Sequence, residues 1–367
     1  MSSISQRVFW APGRVSLIGE HTDYSGGLVL PAAISRGVTV SGARANRIEL
    51  QSELDGTKTS LAADGSSPEP PSGWARFVQA VARELHGLGR PSVGIVGTLA
   101  SDVPVGAGLA SSAALEVAVA TALCAVADWE ALTRLELATA CQRAELRAVG
   151  VPCGILDQAA SVLGEEGAAI YLDCASLEHE AVPLPEGVAI AVVNSGVRHQ
   201  LEHSAYAERR RELADALVVL GGRRPADVSC EEADELAAAG GLDDLHRRRL
   251  RHVVSENERV RAFVGALRST PADTTLVGTI LRDGHASQRD DYETSTPELD
   301  GLVERAYELG AIGARMTGGG FGGSIVALVD TEQADRFADA IVDTASDKTS
   351  AFVCSAVCGA GELVSCS

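Results

Sequence analysis

The stretch PVGAGLASSAALE, at residues 104–116, joins a glycine-rich segment to the start of an Ala-rich helix. The small residues from Gly106 to Ala110 would let a ligand approach the backbone, and Ser111 and Ser112 stand where the helix begins. Such a helix N-terminus favours phosphate, because its free N–H groups and its dipole both attract negative charge. The pattern is equally typical of a plain turn with a serine N-cap. The stretch alone leaves both interpretations open.

Lysine is nearly absent, which restricts how the chain could handle phosphate. Of the 31 basic residues, only Lys58 and Lys348 are lysines, and the others are arginines. Neither follows the glycine frame of a P-loop, G-x-x-x-x-G-K-[ST], and both lie in polar, turn-like sequence rather than in the buried setting of a Schiff-base lysine. Any phosphate site in this chain therefore works without a P-loop lysine.

The composition is that of a soluble globular protein and argues against several partners. The 367 residues are 46% hydrophobic and 22% charged, with a net charge of −19. Such acidity repels nucleic acid and anionic membranes, so neither is expected as a partner. No apolar run reaches the roughly 20 residues of a membrane span, and no signal peptide is visible. The eight cysteines show no C-x-x-C or zinc spacing, so a reducing, cytoplasmic setting is expected.

A second glycine cluster reads G-x-G-x-x-G at Gly318, Gly320 and Gly323. A dinucleotide fingerprint must open a helix, whereas the β-type run at residues 324–329 follows here. The loop also lacks the lysine that follows a protein-kinase glycine loop. Two interpretations stay open: a hairpin turn, or a loop whose bare backbone packs against a ligand or a moving element.

Glu20, His21 and Asp23 fall within four residues, beside glycines. This set can form several hydrogen bonds to a polyhydroxylated ligand, although a solvated turn has the same composition. One histidine with two nearby carboxylates lacks the helical spacing of a metal site. Farther along, Asp157 stands at a helix start, where it is either a cap or a general base beside a cation.

Strand and helix patterns alternate along the chain, which indicates an α+β or α/β fold. Two strands flank a Gly-rich turn between Arg7 and Val40, and residues 221–250 are predicted to form short helices. A change of pattern near residues 175–187 predicts a boundary between two lobes. Further helices are predicted at 74–85, 111–128, 133–147, 157–162, 199–220 and 299–309, and further strands at 93–99, 188–193, 312–316 and 325–329.

Taken together and in this order, these motifs resemble the GHMP kinase family, and within it the branch that phosphorylates galactose. The resemblance extends over residues 11–329, and six motifs in one order are far more specific than any motif alone. The motifs are APGRVSLIGEHTDYSGG (11–27), PVGAGLASSAALE (104–116), GVPCGILDQ (150–158), NSGVRHQLEHSAYAERRREL (194–213), HASQRDDYETSTPELD (285–300) and GARMTGGGFGGS (313–324).

The resemblance implies an α+β fold of two lobes, with the active site in the cleft between them. Residues 1–178 would form the N-terminal GHMP lobe, carrying the nucleotide loop, the catalytic base and the sugar-binding signature. Residues 179–367 would form the C-terminal GHMP lobe. A monomer is the expected state, although the sequence leaves oligomerisation open.

The resemblance also implies roles for individual residues. Asp157 would be the general base, and Arg14 beside it would keep it charged and stabilise the transferring phosphoryl group. Ser112 and Glu145 would hold Mg²⁺. The sugar hydroxyls would be bound by Glu20, His21, Thr22, Asp23, Gly154 and Tyr206. The ATP phosphates would lie against Gly106, Ala107, Gly108, Leu109, Ala110, Ser111 and Ser112.

The implied reaction is the ATP-dependent phosphorylation of the anomeric hydroxyl of D-galactose, giving galactose 1-phosphate and ADP. Four positions depart from the usual pattern of that branch: Ser16 and Ser25 replace Asn, Ala110 replaces Ser, and Ser324 replaces Cys. A kinase for arabinose, galacturonate or N-acetylgalactosamine is therefore a close alternative. A non-catalytic sensor of sugar and ATP is a second alternative. The presence of Asp157, Arg14, Ser112 and Glu145 argues against it.

Overall fold

The computed structural model describes residues 6–67, 71–104, 106–198 and 202–363. Cys366 and residues 199–201, where a helix is predicted to begin, lie outside these ranges. The strands are β1 (Arg7–Ile18), β2 (Leu28–Ala45), β3 (Arg47–Ser52), β4 (Lys58–Ala62), β5 (Gly94–Ser101), β6 (Ala168–Asp173), β7 (His179–Pro183), β8 (Val188–Arg198), β9 (Gly313–Thr317), β10 (Gly322–Asp330), β11 (Ser350–Cys354) and β12 (Gly361–Glu362). The helices are α1 (Ala75–Gly87), α2 (Ser111–Val126), α3 (Arg134–Val149), α4 (Leu156–Leu163), α5 (Glu202–Leu217), α6 (Cys230–Ala239), α7 (Asp244–Arg268), α8 (Thr274–Asp290), α9 (Pro297–Glu308) and α10 (Ala334–Asp343).

Two sheets organise the described part of the chain. The first follows the order β12-β1-β2-β5-β3-β4, with β6 beside β2 and β7 beside β6. The second follows the order β11-β8-β10-β9. Among the described strands every pair is antiparallel except β3 with β5. Largely antiparallel sheets with separate helical layers confirm the predicted α+β fold.

Helix α2 places the glycine-rich stretch at the centre of the first half of the molecule. It packs against β1 and β2 on one side and against α1, α3 and α4 on the other. Such a helix must be apolar on almost every face, which is why its sequence is dominated by Ala, Val and Leu. Its buried position holds its N-terminus firmly next to β1.

Strand β1 carries two irregularities in its pairing with β2. The register shifts between Pro12 and Arg14, and again between Ser16 and Ile18. Such bulges bend a strand and turn its side chains away from the regular alternation, and they are common beside active sites. Arg14 is thereby released from the regular sheet pattern.

A shared hydrophobic core joins the two sheets. Val15 and Leu30 of the first sheet pack in the same buried cluster as Val192 and Val326 of the second. Strand β7 pairs with β6 and so extends the first sheet beyond residue 178, while β12 returns to β1. The division into lobes at residues 178 and 179 stays a prediction.

Most elements predicted from hydrophobic periodicity are present, including α1, α3, α4 and α9. The prediction of short helices over 221–250 is only half right, because α7 begins at Asp244 and continues for 25 residues. Its buried face carries Arg249, His252, Glu256 and Asn257, which interrupt the apolar pattern. A helix that buries paired polar groups escapes detection by periodicity. No helix in the described ranges is both long and apolar enough to cross a membrane.

Candidate active site

A cavity of about 520 Å³ opens where the N-termini of α2 and α4 meet β1 and the turn between β9 and β10. It is lined by most of the predicted site residues: Arg14, Glu20, His21, Asp23, Gly106, Gly108, Leu109, Ala110, Ser111, Ser112, Glu145, Gly154, Asp157 and Tyr206. Motifs that are separated by up to 192 positions in the chain therefore meet in one place.

Thr22 and Ala107 do not line the cavity. The Thr22 hydroxyl is fully buried and lies 2.7 Å from the carbonyl oxygen of Gly19 and 2.8 Å from that of Leu28. The Ala107 carbonyl accepts a hydrogen bond of 2.7 Å from the Ser324 hydroxyl. Both residues shape the turns behind the cavity wall rather than face a ligand.

Arg14 connects the predicted base to the glycine-rich loop. Its Nε donates to Oδ1 of Asp157 at 2.8 Å, and a second guanidinium nitrogen lies 2.6 Å from the same oxygen. Nη1 donates to the carbonyl of Gly108, and the Arg14 backbone N–H donates to the carbonyl of Leu109 at 3.2 Å. The pair adjoins the cavity, with 30% of the Asp157 side chain exposed and 8% of that of Arg14.

The glycine-rich stretch is not capped as an ordinary helix would be. Ala110, in the left-handed region at φ 56°, is the N-cap residue of α2, and no side chain caps the helix. Gly106 and Gly108 also have positive φ, which glycine tolerates. The interpretation of the stretch as a turn with a serine N-cap is therefore wrong. The first N–H groups of α2 keep their capacity to bind an anion.

Ser112 and Glu145 lie together, as their predicted joint role requires. The Ser112 hydroxyl donates to Oε1 of Glu145 at 2.9 Å. Oε2 of Glu145 accepts from the amide of Gln158 at 2.7 Å and from the thiol of Cys153 at 3.2 Å. A hydroxyl and a carboxylate next to a phosphate-binding loop suit Mg²⁺, which usually binds one or two protein oxygens together with substrate phosphates and water. The described residues contain no cluster of three or more acidic, His or Cys ligands, and such a Mg²⁺ site needs none.

Glu116 is a buried carboxylate that the sequence analysis did not single out. It is fully buried, and its Oε2 accepts from the amide of Gln158 at 3.0 Å. Burial, reinforced by the nearby charge of Glu145, raises the pKa of Glu116 well above its usual value. One amide thus ties both carboxylates to α4, directly beside Asp157.

Glu20 is held by charges from the second half of the chain. Arg315 on β9 lies between two carboxylates, 3.3 Å from Glu20 and 2.7 Å from Glu256, and all three side chains are almost wholly buried. The backbone N–H of Gly318 donates to the other oxygen of Glu20 at 3.2 Å. Burial raises the pKa of Glu20 to about 7, in spite of the opposing effect of Arg315.

Glu256 has the opposite pKa shift because it has more cationic partners. Burial would raise its pKa, but Arg315 and Arg259 together bring it below the usual range. Glu256 also accepts from the backbone N–H of Gly19 at 2.9 Å. It therefore fixes both the cation and the turn on which Glu20 is mounted.

His21 belongs to a cluster of rings beside the cavity. Its Nδ1 lies 3.0 Å from the hydroxyl of Tyr24, and its ring lies 5.7 Å from that of Tyr206 between centroids. Burial lowers the pKa of His21 to about 3, so the imidazole is neutral at physiological pH. A neutral imidazole carries one donor and one acceptor, and Tyr24 already engages the nitrogen Nδ1.

Asp23 lies against Gly154, which must have no side chain. A Cβ on Gly154 would lie 1.7 Å from the Asp23 carboxylate. Burial, with a contribution from the charge of Asp157, raises the pKa of Asp23 to about 6. The motifs around Asp23 and Gly154 therefore meet face to face in the cavity.

The sequence analysis did not identify some other residues of the site, because the residues around them form no recognisable motif. Arg315 is the sole charge in the β9 sequence GARMT, and such an isolated charge in a short apolar strand was the available clue. The cavity is also lined by Arg76, Phe77, Val149 and Val151. Their sequence pattern indicated only ordinary helix and turn positions.

Comparisons with known proteins agree with this geometry. The "GHMP kinases N terminal domain" model matches residues 75–165, the "Galactokinase galactose-binding signature" matches 2–44, and "GHMP kinases C terminal" matches 263–347. The galactokinase of Thermococcus kodakarensis is 43% identical over 321 residues, covering 88% of this chain and 89% of that protein. That of Streptomyces coelicolor is 40% identical over 344 residues, covering 92% and 88%. The chain belongs to the galactokinase family of the GHMP kinases.

Solved structures place the fold in the same family. The crystal structure of Lactococcus lactis galactokinase complexed with galactose matches with a TM-score of 0.90 and 34% identity, covering 98% of this chain and 95% of that one. Methanococcus jannaschii mevalonate kinase matches with a TM-score of 0.69 at 18% identity, covering 96% and 99%. The second match shows that the GHMP kinase fold extends well beyond the galactokinases.

The buried ion network makes a testable contribution to stability. Arg315→Met would leave Glu20 and Glu256 buried without their shared cation, so the free energy of unfolding should fall by about 3–5 kcal/mol. Urea denaturation followed by circular dichroism measures this change. The control is Arg336→Met at an exposed position on α10, which should change stability by less than about 0.5 kcal/mol. Equal stability of the two variants would contradict the assigned role of the network.

Proposed function

We propose that this chain transfers the γ-phosphoryl group of ATP to the anomeric hydroxyl of D-galactose, giving galactose 1-phosphate and ADP. The observation that carries the proposal is the position of the Arg14–Asp157 pair. It lies in one cavity with an uncapped helix N-terminus and with the polar cluster of Glu20, His21 and Asp23. A phosphate site, a base and a set of groups for sugar hydroxyls thus share one volume.

Asp157 is the base in this mechanism. Its carboxylate accepts the proton of the anomeric hydroxyl while the sugar oxygen forms a bond to the γ-phosphorus. The bond between that phosphorus and the bridging oxygen of the β-phosphate breaks, and ADP leaves. Arg14 holds the carboxylate and places a guanidinium where charge spreads over the phosphoryl oxygens in the transition state.

The nucleotide lies along residues 106–112. The backbone N–H groups at the start of α2 face the phosphates and replace the P-loop lysine that the chain lacks. Phe77, Val149 and Val151 line the same cavity and offer an apolar surface for the adenine ring. Binding therefore depends on backbone dipoles and apolar contact more than on cationic side chains.

Mg²⁺ would be held by Ser112 and Glu145. An ion bound there would supply positive charge to offset the negative charge of the ATP phosphates. The Gln158 amide orients Glu145 from behind, while Oε1 of the same carboxylate remains next to the Ser112 hydroxyl. This chain thus supplies a small set of oxygen ligands and leaves the other positions to ATP and water.

The sugar lies against Glu20, His21, Asp23 and Tyr206. Glu20 and Asp23 offer acceptors, and Tyr206 offers a donor whose pKa is raised well above its usual value by burial. A site built from buried polar groups discriminates strongly against a ligand that leaves one of them unpaired. The axial 4-hydroxyl of galactose is the feature that separates it from glucose.

A panel of sugars with ATP tests the proposed substrate. Galactose should exceed glucose in kcat/KM by at least about tenfold, because one mispaired buried group costs about 1–3 kcal/mol. Coupled release of ADP measures turnover, and NMR identifies the phosphorylated carbon. If arabinose, galacturonate or N-acetylgalactosamine gave a higher kcat/KM than galactose, that sugar would be the substrate and the proposal of galactose would be wrong. Binding of sugar and ATP without turnover would show a sensor instead.

Asp157→Asn tests the base. The amide keeps the shape but cannot accept the proton, so kcat should fall by about 10²–10⁴-fold while ATP binding is retained. Single-turnover kinetics and calorimetry measure the two effects. Asp283→Asn, at an exposed position of α8, is the control and should leave kcat unchanged. A kcat near that of the wild type in Asp157→Asn would remove this residue from catalysis.

The metal dependence tests Ser112 and Glu145. Each of Ser112→Ala and Glu145→Ala should raise the Mg²⁺ concentration needed for half-maximal activity, because each removes one oxygen ligand. Activity is measured over a Mg²⁺ series at saturating ATP and galactose. Ser66→Ala, in an exposed turn, should keep the wild-type dependence. An unchanged Mg²⁺ requirement in both site variants would show that neither residue holds the ion.

A further inference from the structure

The second glycine cluster packs against the first. It forms the turn between β9 and β10, which pair as antiparallel strands. A Cβ on Gly318 would lie 2.8 Å from the carbonyl oxygen of Gly108, and a Cβ on Gly323 would lie 3.4 Å from that of Ala107. The cluster is therefore a hairpin turn, as one of its two interpretations predicts, and its bare backbone lies against the glycine-rich loop before α2.

One side chain of this hairpin binds the glycine-rich loop. Ser324 is fully buried on β10, and its hydroxyl donates to the carbonyl of Ala107 at 2.7 Å. Ala107 is also fully buried, and neither residue lines the cavity, whereas Gly108 does. The hydroxyl therefore reaches the loop from the side that is turned away from the cavity.

The direction of the Ala107 carbonyl fixes the direction of the next N–H group. The peptide between Ala107 and Gly108 is trans, and in a planar trans peptide the C=O of one residue and the N–H of the next point in opposite directions. The Ala107 carbonyl points to β10, so the N–H of Gly108 points away from β10. Among the described residues this N–H has no acceptor. It is directed to the cavity side of the loop, beside the first N–H groups of α2.

Glycine makes this peptide easy to turn over. Turning a peptide over changes ψ of the residue before it and φ of the residue after it, and glycine accepts either sign of φ. Gly106 and Gly108, with φ of 71° and 74°, flank Ala107 on both sides. A contact from outside the loop is therefore needed to select one orientation of the peptide.

The next two peptides of the loop are held from β1 instead. Arg14 donates from its guanidinium to the carbonyl of Gly108 and from its backbone N–H to the carbonyl of Leu109, the second at 3.2 Å. Three consecutive carbonyls thus each have a donor from outside the loop. Ser324 is the donor that lies outside the Arg14–Asp157 pair, so it can be replaced while both members of that pair stay in place.

We infer that Ser324 is a positioning residue for the nucleotide, because its hydroxyl holds the Ala107–Gly108 peptide with the N–H of Gly108 directed to a phosphate group. The role in phosphate binding rests on the proposed function, whereas the orientation of the peptide does not. Without the hydroxyl, the Ala107 carbonyl would be buried without a donor, which is unfavourable. Turning the peptide over would bring this carbonyl to the water of the cavity and would direct the N–H of Gly108 inward.

NMR of Ser324→Ala without sugar or nucleotide tests the orientation of the peptide. The nuclear Overhauser effect between Hα of Ala107 and the N–H of Gly108 depends on ψ of Ala107, which changes when the peptide turns over. Its strength should therefore differ between the variant and the wild type. An unchanged effect would overturn the inference, whatever the protein binds.

Calorimetry with ADP and Mg²⁺, in the absence of sugar, tests the consequence for binding. The Kd for ADP should rise about two- to tenfold in Ser324→Ala, the usual worth of one hydrogen bond. The Kd for galactose, measured separately, should change less than twofold. An unchanged Kd for ADP would refute the role of Ser324, and so would equal losses of affinity for ADP and galactose, which would indicate a general loss of packing.

Ser195→Ala is the matched control. Ser195 is buried on β8, and its hydroxyl donates at 2.8 Å to the carbonyl of Gly323, the residue before Ser324. The variant removes the same kind of hydrogen bond from the same hairpin and leaves the bond to Ala107, so both Kd values should stay as in the wild type. Equal weakening of ADP binding in the two variants would assign the effect to loosening of β10 and would overturn the inference. If the wild type binds ADP with the expected dependence on Ser324 but does not phosphorylate galactose, the proposed function alone is contradicted.

Discussion

The contacts of Arg14 connect Asp157 to the glycine-rich loop of the candidate site. Its side chain binds Asp157 at the start of α4 and the Gly108 carbonyl in the loop before α2, while its backbone N–H binds the Leu109 carbonyl. Arg14 follows a register shift in β1 and lines the cavity. Because the guanidinium is planar and forked, these bonds fix the proposed base and the glycine-rich loop relative to each other. In the proposed mechanism, proton transfer and phosphoryl transfer take place in a geometry that these bonds set in advance.

The sugar side depends on buried charge, which is costly unless it is paired. Arg315 lies between Glu20 and Glu256, and Arg259 gives Glu256 a second cation at 2.8 Å. Breaking such a network leaves an uncompensated charge in the interior. The network also joins β9 and α7 to the turn after β1, so the position of the Glu20 carboxylate, which is proposed to bind the sugar, is decided by residues more than 200 positions away. Folding of both halves and formation of the pocket are therefore linked.

The elements that could be predicted from the sequence are those with a local hydrophobic pattern. Helices α1 and α3 have one apolar face, and periodicity predicted them. The full length of α7 was missed because its buried face holds Arg249 and Glu256, whose partners include Glu212 and Arg315, distant in the chain. The pairing of β7 with β6, and of β12 with β1, depends on contacts that no local pattern records.

The sequence by itself determined many of the helices and strands, the absence of a P-loop lysine, and a set of motifs whose order resembles one family. It also named most of the residues that line the cavity, because glycines, hydroxyls and acids occur there in short stretches. Only the tertiary structure decided that Thr22 and Ala107 do not line the cavity, that Arg315 lies beside Glu20, and that α2 begins without a side-chain cap. These features depend on distances between atoms far apart in the chain, and on the burial that makes an unpaired polar group costly.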